Sequence, residues 1–175
     1  MNNADVIETL RVKLSVPGGR HLYGVMGTYR KLRAFAAELG QAKTREGEPF
    51  PEPLSVNRGV LDAIPDEEFK RLVQGEAKWP EPTMAHVAHA FESFLRDALK
   101  ERPLVVLDGL EILFAYNLEL SLLRTLATDD QRVVLLLPGK REGGRIVLYP
   151  DRLTGESRIS LPPNLIASDH LWELS

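Results

Sequence analysis

The chain has 175 residues, enough for one α/β domain but not two, so we expect residues 1–175 to form a single domain. It carries 22 basic and 25 acidic residues, a net charge of −3, which is not the basic excess typical of nucleic-acid-binding proteins. The absence of cysteine excludes disulfides and thiolate metal sites, and without a long apolar run or a signal-peptide pattern we expect a cytoplasmic protein.

The apolar pattern predicts an alternation of helices and strands. In the first part of the chain we expect a helix at 6–14, a strand at 21–27, a helix at 31–39 with Gly40 as its C-cap, a loop at 41–53 and a short strand at 54–57. In the middle we expect a helix from Pro65 to Val73, a loop at 75–82 and a helix from its N-cap Thr83 to Lys100. In the last part we expect a strand at 104–108, a helix at 118–127, a strand at 132–137 that ends at Pro138, and strands at 145–150 and 157–161.

Two of these segments are apolar throughout, as strands buried on both faces are. Their apolar residues are 104–107, which Asp108 follows, and 133–137, which Arg132 precedes, and the helix between the two strands requires a parallel crossover. The last two strands alternate apolar and polar residues and are bounded by turns at Gly143–Gly144 and Thr154–Gly155, which indicates an antiparallel hairpin at the sheet edge. The sequence therefore predicts a three-layer α/β sandwich with a mostly parallel sheet and a C-terminal β-hairpin.

An aspartate ends the first buried strand. In P-loop nucleotidases such an aspartate follows a parallel strand and holds the magnesium of the nucleotide, beside a Gly-rich phosphate loop. No Gly-x-x-x-x-Gly-Lys-Ser/Thr segment exists here, and the candidate in the corresponding place is Gly24–Leu32. Asp108 therefore indicates a P-loop-like sheet whose phosphate loop is degenerate.

Two interpretations of this edge remain open. In one, Gly27 lies in the phosphate turn while Lys31, Asp108 and Glu111 serve phosphate, magnesium and water in a weak or partner-completed ATPase. In the other, which we favour, the protein is non-catalytic and binds no cofactor, because Tyr29 and Arg30 would obstruct a phosphate cradle. Asp108 then caps the turn that follows its strand.

Other polar residues are weaker candidates. His86 and His89 have a spacing that can hold a metal, but no third ligand is evident, so we expect a solvated helix face and no metal site. Arg30, Lys31 and Arg33, with Arg20 before the first strand, are candidates for a basic patch at the start of the second helix.

A binding protein needs an exposed surface. Tryptophan and tyrosine are frequent at contact surfaces, which favours Trp79 and Tyr29 as partner-binding residues. Lys140 and Arg141 belong to a charged segment that we expect to form an exposed turn and to contact a partner.

The block from residue 104 to 150 resembles small proteins of bacterial BREX phage-exclusion systems. In the BrxF type, a strand ending in Leu-Asp-Asn-Ile-Glu-x-Leu-Phe precedes a Leu-Arg-x-Leu helix and another apolar strand. Residues 107–114, 122–126 and 133–137 follow the same order, and residues 54–57 are similar to the second strand of that family. Residues 135–149 look more like the BrxB type. BrxF-type proteins carry a complete Walker A loop, whereas this chain has the shorter segment 27–31.

The resemblance implies a role in phage defence. It implies a cytoplasmic partner of the large BREX ATPase and of the PglZ-type protein, with nucleic acid contacted through the complex. The expected function is that of an assembly or adaptor subunit. The alternatives are the weak ATPase and a nucleic-acid adaptor that uses the basic patch.

Overall fold

The computed structural model describes residues 1–76, 78, 80–149 and 159–175, with Pro80 described by its backbone alone. The helices are α1 (Asn3–Leu14), α2 (Tyr29–Gln41), α3 (Val56–Asp62), α4 (Asp66–Gly75), α5 (Pro80–Glu101), α6 (Glu111–Ala115) and α7 (Ser121–Leu126). The strands are β1 (Leu22–Gly27), β2 (Leu54–Ser55), β3 (Leu104–Asp108), β4 (Arg132–Glu142), β5 (Arg145–Leu148), β6 (Ile159–Ser160) and β7 (Leu171–Glu173). Within the described ranges, no helix has the length and apolar character of a membrane span.

The sheet is mostly parallel. Strands β2, β3, β4, β1 and β7 lie side by side in that order, and each adjacent pair is parallel. The far half of β4 pairs antiparallel with β5, and β5 pairs with β6. At the carboxyl ends of the parallel strands, Ser55 lies opposite Asp108, and Gly27 opposite Pro138.

Helices cover both faces of this sheet. One face, which we call the α1–α2 face, contains Tyr23, Val25 and Val134 packed against the first two helices. The other, the α3–α7 face, contains Leu22 and Leu135 packed against the remaining helices. Because successive residues of a strand point to opposite faces, the continuous apolar strands supply both cores. The predicted three-layer α/β fold is confirmed.

The direction of the chain across the sheet explains why the helices divide between the faces. From β2 to β3 to β4 the chain steps toward β1, and its connecting helices lie on the α3–α7 face. The connection from β1 to β2 runs the opposite way, and its helix α2 lies on the α1–α2 face. Because the two groups of connections run in opposite directions and lie on opposite faces, all of them have the same handedness, as parallel sheets require.

The hairpin lies over the sheet rather than simply at its edge. Leu148, Tyr149 and Leu161 join the core of the α3–α7 face. The strand predicted to end at Pro138 was too short, because β4 continues to Glu142. Pro138 lies where the strand leaves its parallel partner, so its missing N–H breaks no ladder, and its carbonyl accepts from the Tyr149 N–H at 2.8 Å. The predicted Thr154–Gly155 turn lies outside the described residues.

Several other predicted boundaries were wrong. Gly40 lies inside α2, and Thr83 lies inside α5, where its buried hydroxyl has no hydrogen-bond partner within the described part of the chain. Proline suits the first turn of a helix because its missing N–H is not needed there, so α5 begins at Pro80. The strand expected at 54–57 ends at Ser55, whose hydroxyl accepts from the Arg58 N–H and thereby starts α3.

The C-terminal segment packs closely on β1. A Cβ added to Gly24 would lie 2.5 Å from Leu171 Cδ1 and 2.8 Å from Ile166 Cδ1, so the segment touches the sheet where β1 has no side chain. Strand β7 then pairs beside β1, and Trp172 is buried against the α1–α2 face.

Candidate functional site

The carboxyl edge of the parallel sheet carries the candidate site. There the chain leaves β1 toward one face and β3 toward the other, and ligands of open α/β sheets bind in the crevice between such diverging connections. A cavity of about 350 Å³ occupies this place. Its lining includes Ser55 at the end of β2, Asp108 at the end of β3 with Gly109 after it, and Tyr29 and Arg33 from α2.

Glu111 is held from both sides of this cavity. Tyr29 donates from Oη to Oε1 of Glu111 at 3.0 Å, and Asn57 donates from Nδ2 to Oε2 at 2.8 Å. Asn57 is itself fixed, since its Oδ1 accepts from the Ile112 N–H and its N–H donates to the Gly109 carbonyl, both at 2.8 Å. The Glu111 carboxylate is therefore a positioned group.

Asp108 lies beside this fixed carboxylate. Burial, and then the negative charge of Glu111, raise the pKa of Asp108 above its usual value. Gly109 adopts φ +56°, and a Cβ there would lie 2.9 Å from Ser55 Oγ, so a glycine is needed for the chain to turn from β3 toward Glu111. Within the described residues, Asp108 has no ion-pair partner.

The predicted phosphate turn is a single residue. Strand β1 ends at Gly27 and α2 begins at Tyr29, with Thr28 between them. The Thr28 hydroxyl accepts from the Lys31 N–H at 3.3 Å, and Gly27 is not in the left-handed region. A phosphate cradle needs several successive N–H groups directed inward, and this connection is too short to form one.

The four predicted nucleotide-binding residues are brought together only in part. Asp108 and Glu111 line the cavity, whereas Gly27 and Lys31 do not. The Lys31 Nζ instead donates to the Leu174 carbonyl at 3.1 Å. The edge thus offers two neighbouring carboxylates without the phosphate-binding lysine of a nucleotide site.

The predicted partner-binding residues that the structure describes lie in different parts of the fold. Tyr29 is half-buried in the edge cavity, and Trp79 lies outside the described residues. Lys140 is exposed, with Nζ 4.0 Å from Glu142 Oε2. Both Lys140 and Arg141 belong to strand β4 rather than to a turn, and Arg141 donates from Nη2 to the Leu171 carbonyl at 3.2 Å.

The predicted basic patch is divided by a strand. Arg20 precedes β1, while Arg30, Lys31 and Arg33 follow it on α2. Since a six-residue strand is about 17 Å long, Arg20 lies at the opposite edge of the sheet from the other three. These residues therefore do not form one patch.

The paired histidines lie on α5, one of them in contact with an acid. His86 Nδ1 is 3.1 Å from Glu68 Oε1, and His89 is exposed. Over the described ranges, no group of three or more His, Asp or Glu side chains is arranged to hold a metal ion.

Sequence reasoning missed two features. Asn57, which orders the edge, is the last residue of the strand predicted at 54–57, and the end of a strand is where functional side chains collect, so that position was a usable signal. It also missed Phe69 and Val73, which are exposed on α4. Their spacing of four residues on a highly charged helix was the available signal.

Comparison with family models, with curated proteins and with solved structures finds no match for this chain.

Proposed function

We propose that this protein is a non-catalytic assembly subunit that binds another protein through α3 and α4. The observation that carries the proposal is the exposure of three large apolar side chains on these consecutive helices. Leu61 is 44% exposed, Phe69 42% and Val73 56%. We call these three residues the α3–α4 apolar surface. Exposed apolar side chains that lie close together, as Phe69 and Val73 do on α4, are a feature of protein-binding surfaces.

The helical geometry places two of these residues together. Phe69 and Val73 are four residues apart on α4, so they lie on the same side of the helix one turn apart. Leu72 lies between them in sequence and is the side chain that α4 buries in the core. Helix α4 thus has an inner contact with its own domain and an outer apolar side that its own domain does not cover.

The charges around this surface define the partner. Asp62, Asp66 and Glu67 are exposed and form no ion pair within the described residues. The exposed cations of the same two helices without an ion pair there are Arg58 and Lys70, so unpaired acids outnumber unpaired bases. The partner surface we propose is therefore apolar at its centre and carries Lys or Arg at its rim. The resemblance to BREX proteins suggests the large BREX ATPase or the PglZ-type protein as that partner.

The carboxyl edge supports a non-catalytic role. A single residue joins β1 to α2, and the Tyr29 and Asn57 hydrogen bonds bridge the crevice through Glu111. A nucleotide entering there would have to displace both of these hydrogen bonds.

The test is co-purification with each of the two candidate partners. The double variant Phe69→Ser/Val73→Ser should lose the complex that the unchanged protein forms. Val12→Ser is the matched control, because Val12 is an exposed helical valine, 42% accessible, on α1. Retention of the complex by the double variant, or failure of the unchanged protein to bind either candidate, would contradict the proposal.

A weak or partner-completed ATPase remains the second candidate. The observation in its favour is the pair of carboxylates, Asp108 and Glu111, in one cavity at the carboxyl edge. In this alternative Lys31 leaves the Leu174 carbonyl, and a partner supplies the missing donors around the phosphates.

Calorimetry with ATP and magnesium separates the two candidates. The ATPase predicts saturable binding that Asp108→Ala and Lys31→Ala both lose, while Asp130→Ala, at an exposed aspartate outside the site, keeps it. If no nucleotide binds at millimolar concentration with the partner present, the ATPase candidate is excluded and the assembly role stands.

A further inference from the structure

We propose that a second cavity, away from the carboxyl edge, binds a small organic phosphate. The cavity has a volume of about 430 Å³ and lies between the start of β1, α7, the β4–β5 hairpin and the C-terminal segment. Three arginines from separate parts of the chain line it: Arg20, Arg124 and Arg141. We call it the arginine cavity.

Among the described residues, no acidic side chain lines this cavity. None of its three arginines forms an ion pair with a carboxylate of those residues. Three guanidinium groups around one space repel each other, and a bound dianion removes that repulsion. Guanidinium groups also bind phosphate oxygens in pairs, which makes a phosphate the fitting anion.

One of these arginines is positioned in advance. Arg141 donates from Nη2 to the Leu171 carbonyl at 3.2 Å, and its backbone N–H donates to Glu173 Oε2 at 3.3 Å. The side chains of Arg20 and Arg124 have no hydrogen-bond partner within the described residues, so their donors are available to a ligand.

The rest of the lining indicates that the phosphate carries an apolar group. Leu22, Ile146, Leu165, Ile166 and Leu171 form the apolar part of the wall. The volume is within the range of small-molecule sites, roughly 300–1,000 Å³. A nucleic-acid backbone would need a charged stripe along the surface, whereas these three charges line one open cavity.

The arginine cavity is independent of the proposed protein-binding role. Arg20 and Leu22 lie at the amino end of β1, opposite the edge that contains Asp108. The α3–α4 apolar surface contributes no residue to it. The failure of either proposal therefore leaves the other standing.

Titration calorimetry with phenyl phosphate tests the inference, with inorganic phosphate and phenol as partial ligands. We expect saturable binding of phenyl phosphate, binding of inorganic phosphate about tenfold weaker because the ring is absent, and no binding of phenol. Arg20→Gln and Arg124→Gln should each weaken phenyl phosphate binding about tenfold, while Arg124→Lys should fall between the unchanged protein and Arg124→Gln. Arg45→Gln removes the same charge from an exposed loop and should change nothing.

Several outcomes would overturn the inference. They are the absence of saturable binding, equal binding of phenol, and binding that survives the loss of both Arg20 and Arg124. Binding of a single-stranded oligonucleotide without binding of phenyl phosphate would assign the arginines to nucleic acid instead. Thermal unfolding of each variant confirms that it is folded, which we expect because neither side chain makes a hydrogen bond within the described residues.

Discussion

Tyr29 and Glu111 join the two faces of the sheet across its carboxyl edge. Tyr29 begins α2 on one face, Glu111 begins α6 on the other, and 3.0 Å separates the tyrosine Oη from the Oε1 of Glu111. Asn57 of α3 holds the second carboxylate oxygen. The crevice that an open α/β sheet offers to a ligand is here spanned by the protein's own side chains.

This bond should contribute measurably to stability. Tyr29→Phe keeps the ring and removes the hydroxyl, and hydrogen bonds to charged groups contribute about 1.5–3 kcal/mol. We therefore expect the free energy of unfolding in urea to fall by about 1–2 kcal/mol.

A double-mutant cycle identifies the partner of the hydroxyl. In a Glu111→Gln background, Tyr29→Phe should cost less, with a coupling energy of about 1 kcal/mol. Equal costs in the two backgrounds would mean that the two side chains do not interact.

The raised pKa of Asp108 predicts that replacing this residue stabilises the protein in a pH-dependent way. Its folded-state pKa lies above the unfolded value because burial and the Glu111 charge disfavour its ionised form. The ionised carboxylate therefore destabilises the fold at pH values above the folded pKa, and this penalty disappears below the unfolded value near 3.8. Asp108→Asn should raise the free energy of unfolding at pH 7 and leave it unchanged at pH 3.

Asp169 provides a control of opposite sign. Its hydrogen bond from Lys13, at 2.7 Å, lowers the pKa of this exposed carboxyl. Such a group adds stability above its unfolded pKa and loses it as the pH falls through the folded value. Asp169→Asn should therefore lower stability slightly at pH 7. A fall in stability at pH 7 for Asp108→Asn as well would contradict the assignment of Asp108.

The layers of this fold could be predicted from the sequence because the central strands carry the signal themselves. Residues 104–107 and 133–137 are continuously apolar, and the helix between them indicates that their strands are parallel. Residues 143–144 marked the turn between β4 and β5 correctly. Local patterns of this kind do not depend on distant contacts.

The site could be predicted only in part because its contacts are long-range. Asp108 and Glu111 were predicted as site residues because Asp108 ends strand β3 and Glu111 follows soon after it. Asn57 reaches Glu111 from 54 positions away, and no local pattern reveals that pairing. The direction of Lys31 depends on the C-terminal segment, whose packing beside β1 the sequence did not predict.

The start of α2 gives a prediction about the missing phosphate cradle. The Thr28 side chain accepts a hydrogen bond from the Lys31 N–H and thereby caps the start of α2. Thr28→Ala should lower the free energy of unfolding by about 1 kcal/mol, the usual value of an N-cap. Thr125→Ala is the control, because the exposed Thr125 hydroxyl donates to the Ser121 carbonyl within α7. Loss of this hydrogen bond should change the free energy of unfolding by less than about 0.5 kcal/mol. Equal effects of the two substitutions would show that Thr28 is not a cap.

Two glycines should respond to alanine in opposite directions. At Gly24 the added methyl group would meet the Cδ1 atoms of the buried Leu171 and Ile166 at 2.5 and 2.8 Å, so these two side chains must move, and overpacking of this kind costs about 1–3 kcal/mol. Gly40 lies in α2 with open space around it, and alanine there should stabilise the protein by about 0.5–1 kcal/mol through helix propensity. Urea unfolding of both variants measures the difference. A Gly24→Ala protein as stable as the unchanged one would mean that the C-terminal segment does not press on β1, and the wall that this segment gives the arginine cavity would then not be fixed in place.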